Sequence, residues 1–188
     1  MLPELIAAME QEIPGFRIRF KERSRLQRLL GRLLQPLNPD YLRGYITVLG
    51  RTVWWPSQAA LHADPQRSAA TLLHERVHLW DWRDHPIWFP LSYALVWPAF
   101  RTQRAHWERR GYCVDLVILS RKGRTPEQLK AWMLTVFTSS AYGWMWTDRP
   151  AVEEWVDRVL AQGLSAELDG ELLESTQRWV DRLLEPGA

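Results

Sequence analysis

His74 and His78 stand four residues apart in the stretch TLLHERVHLWDWRD, with Glu75 directly after the first. On a helix, the two imidazoles project from one face about one turn apart and can reach a single ion, while Glu75 points to the side of the pair. These residue types suit a catalytic zinc ion, Zn2+, which takes three protein ligands, leaves its fourth position to water and lowers that water's pKa toward neutrality. A neighbouring carboxylate can accept the proton as general base, and attack on a metal-polarised amide carbonyl follows. The bland alternative is two satisfied core histidines beside a surface glutamate, which would be spelled with the same letters.

The elements that must position these residues can be read outward from the motif. Asp64 suits a helix cap, Pro65 suits the first helical position, and no breaker interrupts Gln66 to Trp82. Ahead of it, Leu2 to Glu12 reads as a short helix. GFRIRF then alternates Phe16, Ile18 and Phe20 with Arg17 and Arg19, as a half-buried strand does. In RSRLQRLLGRLLQPL, leucines 26, 29, 30, 33 and 34 follow helical spacing until Pro36 and Pro39, which gives a basic amphipathic helix with its arginines as a solvated face. YLRGYITVLGRTVWWPS reads as two strands around Gly50. The expected class is therefore α+β: a mainly helical domain with a small β-sheet before the HExxH helix.

Beyond the motif, HPIWFPLSYALVWPAF, residues 85–100, is almost wholly apolar and has no acid, Lys or Arg. It is too short to span a membrane and is interrupted by Pro86, Pro90 and Pro98, so a buried or capping segment is the first expectation. Trp88, Tyr93 and Trp97 also suit a contact with a partner protein or a membrane surface. FRTQRAHWERRGYCVDLVILSRKG supplies a second helix from which Glu108 can project toward the histidines, with Tyr112 one turn on along the same face.

HERVH, an apolar segment and then ERRGY resemble the gluzincins, zincin-type zinc metallopeptidases in which a glutamate on a later helix completes the HExxH site. More narrowly, the stretch is similar to small uncharacterised metallopeptidases of bacteria and phages, whose second helix tends to read ExxAY. Here Gly111 stands in the alanine position, which reads as one small residue for another. The resemblance covers about Thr71 to Asp115 and implies a zincin-like metallopeptidase domain, Glu108 as third ligand and Glu75 as base.

A competing third ligand is Asp84, because HERVHLWDWRD also fits the metzincin spacing HExxHxxGxxH/D. Asp81 occupies the place of the glycine that lets such chains turn sharply, so Glu108 is preferred. His106 lies nearly opposite Glu108 on a helix and is the weaker candidate. Met145 reads as core packing rather than as a Met-turn. Asp81 and Asp84 could orient a ligand histidine, although facing water or pairing with arginines such as Arg83 explains both. Candidate donors to a tetrahedral oxyanion are Tyr112, Tyr142, Arg104 and Arg109. Tyr45 to Trp54 could offer an edge strand to an extended peptide, by analogy with zincins.

The rest, PEQLKAWMLTVFTSSAYGWMWTDRPAVEEWVDRVL and ELLESTQRWVDRLLE, has helical periodicity with a break around Gly143 to Pro150 and a helix start at Asp148. Trp132, Trp144, Trp146, Trp155 and Trp179 read as core rather than as a pocket lining. The 188 residues, 46% hydrophobic, suit one domain spanning 1–188. The net charge of +2 comes from scattered arginines, which argues against nucleic acid as the main partner. With Cys113 alone no internal disulfide can form, and the opening residues lack a signal-peptide pattern, so a cytoplasmic location is expected. The reading is hydrolysis of peptide bonds in a peptide or protein substrate. The alternative is a non-enzymatic metal-binding or scaffold protein that binds a partner through residues 85–100.

Overall fold

A computed structural model describes residues 1–35, 40–94, 101–139 and 145–185. Helix α1 (Leu2–Glu12) leads into strand β1 (Arg17–Phe20), a short 3-10 turn (Lys21–Arg23) and helix α2 (Arg25–Leu34). Strands β2 (Thr47–Leu49) and β3 (Thr52–Trp55) form a hairpin whose turn uses Gly50 at φ +62°, a left-handed conformation that side chains with a Cβ disfavour. Helix α3 (Gln58–Ala63) and the long α4 (Pro65–Asp84) follow, then α5 (Trp88–Ala94), α6 (Arg101–Arg121), α7 (Pro126–Thr138), α8 (Arg149–Gln162), a 3-10 turn (Gly163–Ala166) and α9 (Gly170–Leu184). The class is α+β and mainly helical, and all three strands precede α4.

The sheet order is β1-β3-β2, with β1 parallel and β2 antiparallel to β3. Central position explains the run Val53, Trp54 and Trp55, all buried, since a strand covered on both faces has no polar side to show. Of the expected Tyr45 to Trp54 edge, only β2 is at an edge, and β2 is also the strand that approaches α4. Lys21, fully buried just past β1, stitches the sheet to the loop before β2. Its ammonium donates to the carbonyls of Tyr41 and Tyr45 at 2.9 Å each and to Thr47 Oγ1 at 2.8 Å.

Helix α4 is the axis of the packing. Asp64 caps it by accepting from the Arg67 amide at 2.9 Å, and Pro65 opens it. Every residue from Leu72 to Asp81 is buried, so the helix is enclosed on all sides and its polar side chains must find partners inside the protein. On its back, Arg76 donates to Glu12 Oε2 at 2.8 Å, Thr176 Oγ1 at 2.9 Å and Ser175 Oγ at 2.7 Å, which ties α4 to α1 and α9. On its front lies α6, its most extensive helical neighbour.

The apolar segment after α4 divides by face. Phe89 is buried, and buried Ser92 accepts from Trp107 Nε1 at 2.9 Å, while Ile87, Trp88 and Leu91 are exposed. The expectation of a buried or capping segment holds for one side of α5, while the other side is open to solvent; residues 95–100, with Trp97, lie outside the described residues, as does the side chain of Tyr93. Helix α8 starts at its Asp148 cap, which accepts from the Ala151 amide at 3.2 Å. Trp155 and Met145 are buried in the core, with Trp132, Trp146 and Trp179 packed against it; Trp144 lies outside the described residues.

Helix α2 forms as expected, with its arginines exposed, but its apolar stripe is exposed as well. Its inward face is Gln27 and Gly31, whereas Leu26, Leu29 and Leu33 point away from the protein. Tyr41 Oη donates to Gln27 Oε1 at 2.7 Å, and a Cβ on Gly31 would lie 2.6 Å from Leu42 Cγ, so the helix is seated by a polar bond and a close backbone approach.

Candidate metal centre

Two helical stripes face each other. Along α4 run His74, His78 and Asp81; along α6 run Glu108, Gly111, Tyr112 and Asp115, at the three- and four-residue spacing that lines one face of a helix. Where they meet, His74 Nε2 and His78 Nε2 are 3.2 Å apart, and Glu108 Oε2 is 3.9 Å from each. All three side chains are buried. The point equidistant from the corners of such a triangle lies about 2.1 Å from each, within the usual zinc-to-nitrogen and zinc-to-carboxylate range. Among the described residues this is the one group of three or more His, Cys, Asp or Glu that could hold a metal ion.

The ring nitrogen of His74 on the far side is also engaged. His74 Nδ1 lies 2.7 Å from Asp115 Oδ2, and since a carboxylate only accepts, Nδ1 carries the proton. In the neutral ring Nε2 then offers its lone pair to the cluster, which is the tautomer a metal requires. Burial alone would lower the pKa of His74, but the charge and hydrogen bond of Asp115, with Glu75 and Glu108 behind it, push it up to about 9.

Asp81 is only 1% exposed, so of its two expected roles it is the pairing with an arginine that holds and not the exposure to water. One oxygen accepts from Arg110 Nε at 2.9 Å and the other lies 3.6 Å from His78 Nδ1. Asp84 behaves as expected: it is exposed at the end of α4 and pairs with Arg83 at 2.8 Å. Because α4 stays helical through Asp81 to Asp84, nothing turns Asp84 back toward the histidines.

Glu75 is buried next to the pair. Burial raises its pKa, His74 and His78 pull it down, and Glu108 and Asp115 push it up again, for a net upward shift. A carboxylate with raised proton affinity is the better general base near neutral pH.

Tyr112 meets the His74 ring edge-on, with centroids 4.9 Å apart, and its other side packs on Trp132 and Phe137. Phe89 covers His78 at 6.0 Å, so α5 walls the same site. Gly111 is more constrained than a small-for-small exchange suggests: a Cβ there would sit 2.6 Å from His74 Nε2, so an alanine would displace the ring. Arg109 points elsewhere, toward Glu167 and Trp146. Arg104 is one turn before Glu108 on its stripe. His106 packs on Trp107 away from the cluster, its pKa lowered by burial and by Arg109 and Arg110. Tyr142 lies outside the described residues.

Asp115 is the residue that sequence reasoning missed. Its signal was present as the seven-residue interval from Glu108, two turns along one face, with Gly111 and Tyr112 between. No family model matches the chain, and no similar protein is found among curated proteins or solved structures.

Proposed function

We propose that the protein is a zinc-dependent metallopeptidase, with His74, His78 and Glu108 as the metal ligands and Glu75 as the general base. The observation that carries this reading is the convergence of three buried ligand atoms from two helices beside a fourth buried carboxylate that is not needed to complete the set. A zinc ion in such a setting supplies a Lewis acid and an acidified water. The chain supplies the rest. Asp115 holds His74 in the tautomer that presents Nε2, and Glu75 takes up a proton and returns it to the leaving amine. Tyr112, packed on His74, is the candidate donor to the developing oxyanion, and β2 is the edge nearest the motif helix for an extended peptide. A cytoplasmic setting belongs to the same proposal and rests on the single, buried Cys113, which leaves these residues without an internal disulfide. Among the described residues no helix is long and apolar enough to cross a membrane.

The second reading, a non-catalytic metal-holding protein that binds a partner through residues 85–100, has the exposed Ile87, Trp88 and Leu91 in its favour. A buried base beside the ligands favours catalysis, because a purely structural site has no use for one.

Metal content and hydrolysis of a peptide library separate the two. Wild type and Glu75→Gln should each carry about one zinc per chain and Glu108→Ala should lose it. Only wild type should cleave peptides. Folded wild type that takes up no divalent metal overturns the metal site, and a Glu75→Gln variant as active as wild type overturns the role of the base.

A further inference from the structure

Leu26, Leu29 and Leu33 are 53%, 54% and 67% exposed, and they form one stripe along α2. An amphipathic helix ordinarily turns such a stripe to the core. Here the helix is seated the other way: Gln27 is fully buried and bonded to Tyr41, and Gly31 lies against the Leu42 side chain, where a Cβ would meet Cγ at 2.6 Å. Rotating the leucines inward would break both contacts and carry Gln27 and Gly31 out of their seats.

Arg25, Arg28 and Arg32 form a second exposed stripe beside the leucines, and α2 contains no acidic residue. None of these three arginines makes an ion pair among the described residues. Arg17, Arg19 and Arg23, just ahead of the helix, are not buried, and between residues 17 and 32 Glu22 is the single acid. A second copy docking leucine to leucine would bring two arginine rows together without a counter-charge. A flat anionic surface satisfies both stripes at once, with leucines at the acyl boundary and guanidinium groups on the headgroup phosphates.

We propose that α2 is an interfacial helix that docks the protein on anionic lipid bilayers. This does not depend on the metal reading, since α2 contributes nothing to the His74, His78 and Glu108 group.

The test is flotation of the full chain with vesicles of phosphatidylcholine alone or with about 30% phosphatidylglycerol, a composition that imposes a negative surface potential. Two exposed-site variants accompany wild type: Leu26→Gln with Leu29→Gln and Leu33→Gln, and Arg25→Gln with Arg28→Gln and Arg32→Gln. Thermal melting confirms that both are folded. Wild type should float with the anionic vesicles only, less so at high salt, and each triple variant should bind roughly tenfold or more weakly. Folded wild type that stays with the unbound fraction overturns the proposal, as does a leucine variant that floats like wild type. A wild-type dimer that the leucine variant dissociates, without vesicle binding, assigns the stripe to self-association instead. Capture of an acidic protein without vesicle binding assigns it to a protein partner.

Discussion

Each histidine of the cluster has a carboxylate behind it, and the two arrangements differ. Asp115 reaches His74 from the facing helix at 2.7 Å, whereas Asp81 sits 3.6 Å from His78 on the same helix and is held by Arg110. The cross-helix bond both selects the tautomer and holds the ring against Gly111, so in the proposed site Asp115 positions His74. Asp115→Asn keeps the shape but removes the charge and permits the wrong ring nitrogen to carry the proton. Metal affinity, measured by competition with a chelator, should fall about 10- to 100-fold while the fold is retained. Unchanged affinity would mean that Asp115 and His74 pair for packing only.

At the scale of elements, α4 carries opposite demands on opposite faces. Its front presents His74 and His78, whose Nε2 atoms must remain open in the proposed site, and its back is anchored by Arg76, two residues from His74 and so on the other side of the helix. Arg76 is fully buried, satisfied by Glu12, Ser175 and Thr176, with Trp80 alongside its guanidinium. Arg76→Met would leave Glu12 without its counter-ion and two hydroxyls without their donor. Because Arg76 is buried but Glu12 is 27% exposed, the loss should fall toward the low end of the cost of breaking a buried pair, about 3 kcal/mol in urea unfolding. A loss under about 1 kcal/mol, the worth of an exposed pair, would show that α1 and α9 do not depend on this anchor.

For the whole molecule, the join between the sheet and the loop ahead of β2 depends on a buried ammonium. Burial pulls Lys21 down to about 8, partly opposed by the charge of Glu75, while the unfolded chain holds the same proton up to about 10.5. Between those values the folded protein binds fewer protons than the unfolded one, so this group makes stability rise with pH across that window. Below it, the folded state carries the full cost of a charged, desolvated lysine, offset by its three acceptors. Urea unfolding of wild type and Lys21→Met through the window should show the rise in wild type only. Parallel profiles would mean that the ammonium is solvated in the folded state.

The sequence by itself determined the local features: helix starts at Asp64 and Asp148, the hairpin at Gly50, the α+β order and the one-turn spacing of His74 and His78. Each depends on neighbours within a turn or two, where backbone preference and capping dominate. Glu108 was legible through the gluzincin resemblance of HERVH and ERRGY, helical periodicity adding only that it shares a face with Tyr112. The tertiary structure alone decided that Asp115 backs His74, that Asp81 is buried between His78 and Arg110, and that Gly111 is the floor of the His74 ring. These depend on how two enclosed helices cross, and that is set by long-range packing. It also decided the orientation of α2. Periodicity shows that a helix has an apolar stripe but not which way the stripe faces, and here one buried glutamine and one glycine contact turn it outward.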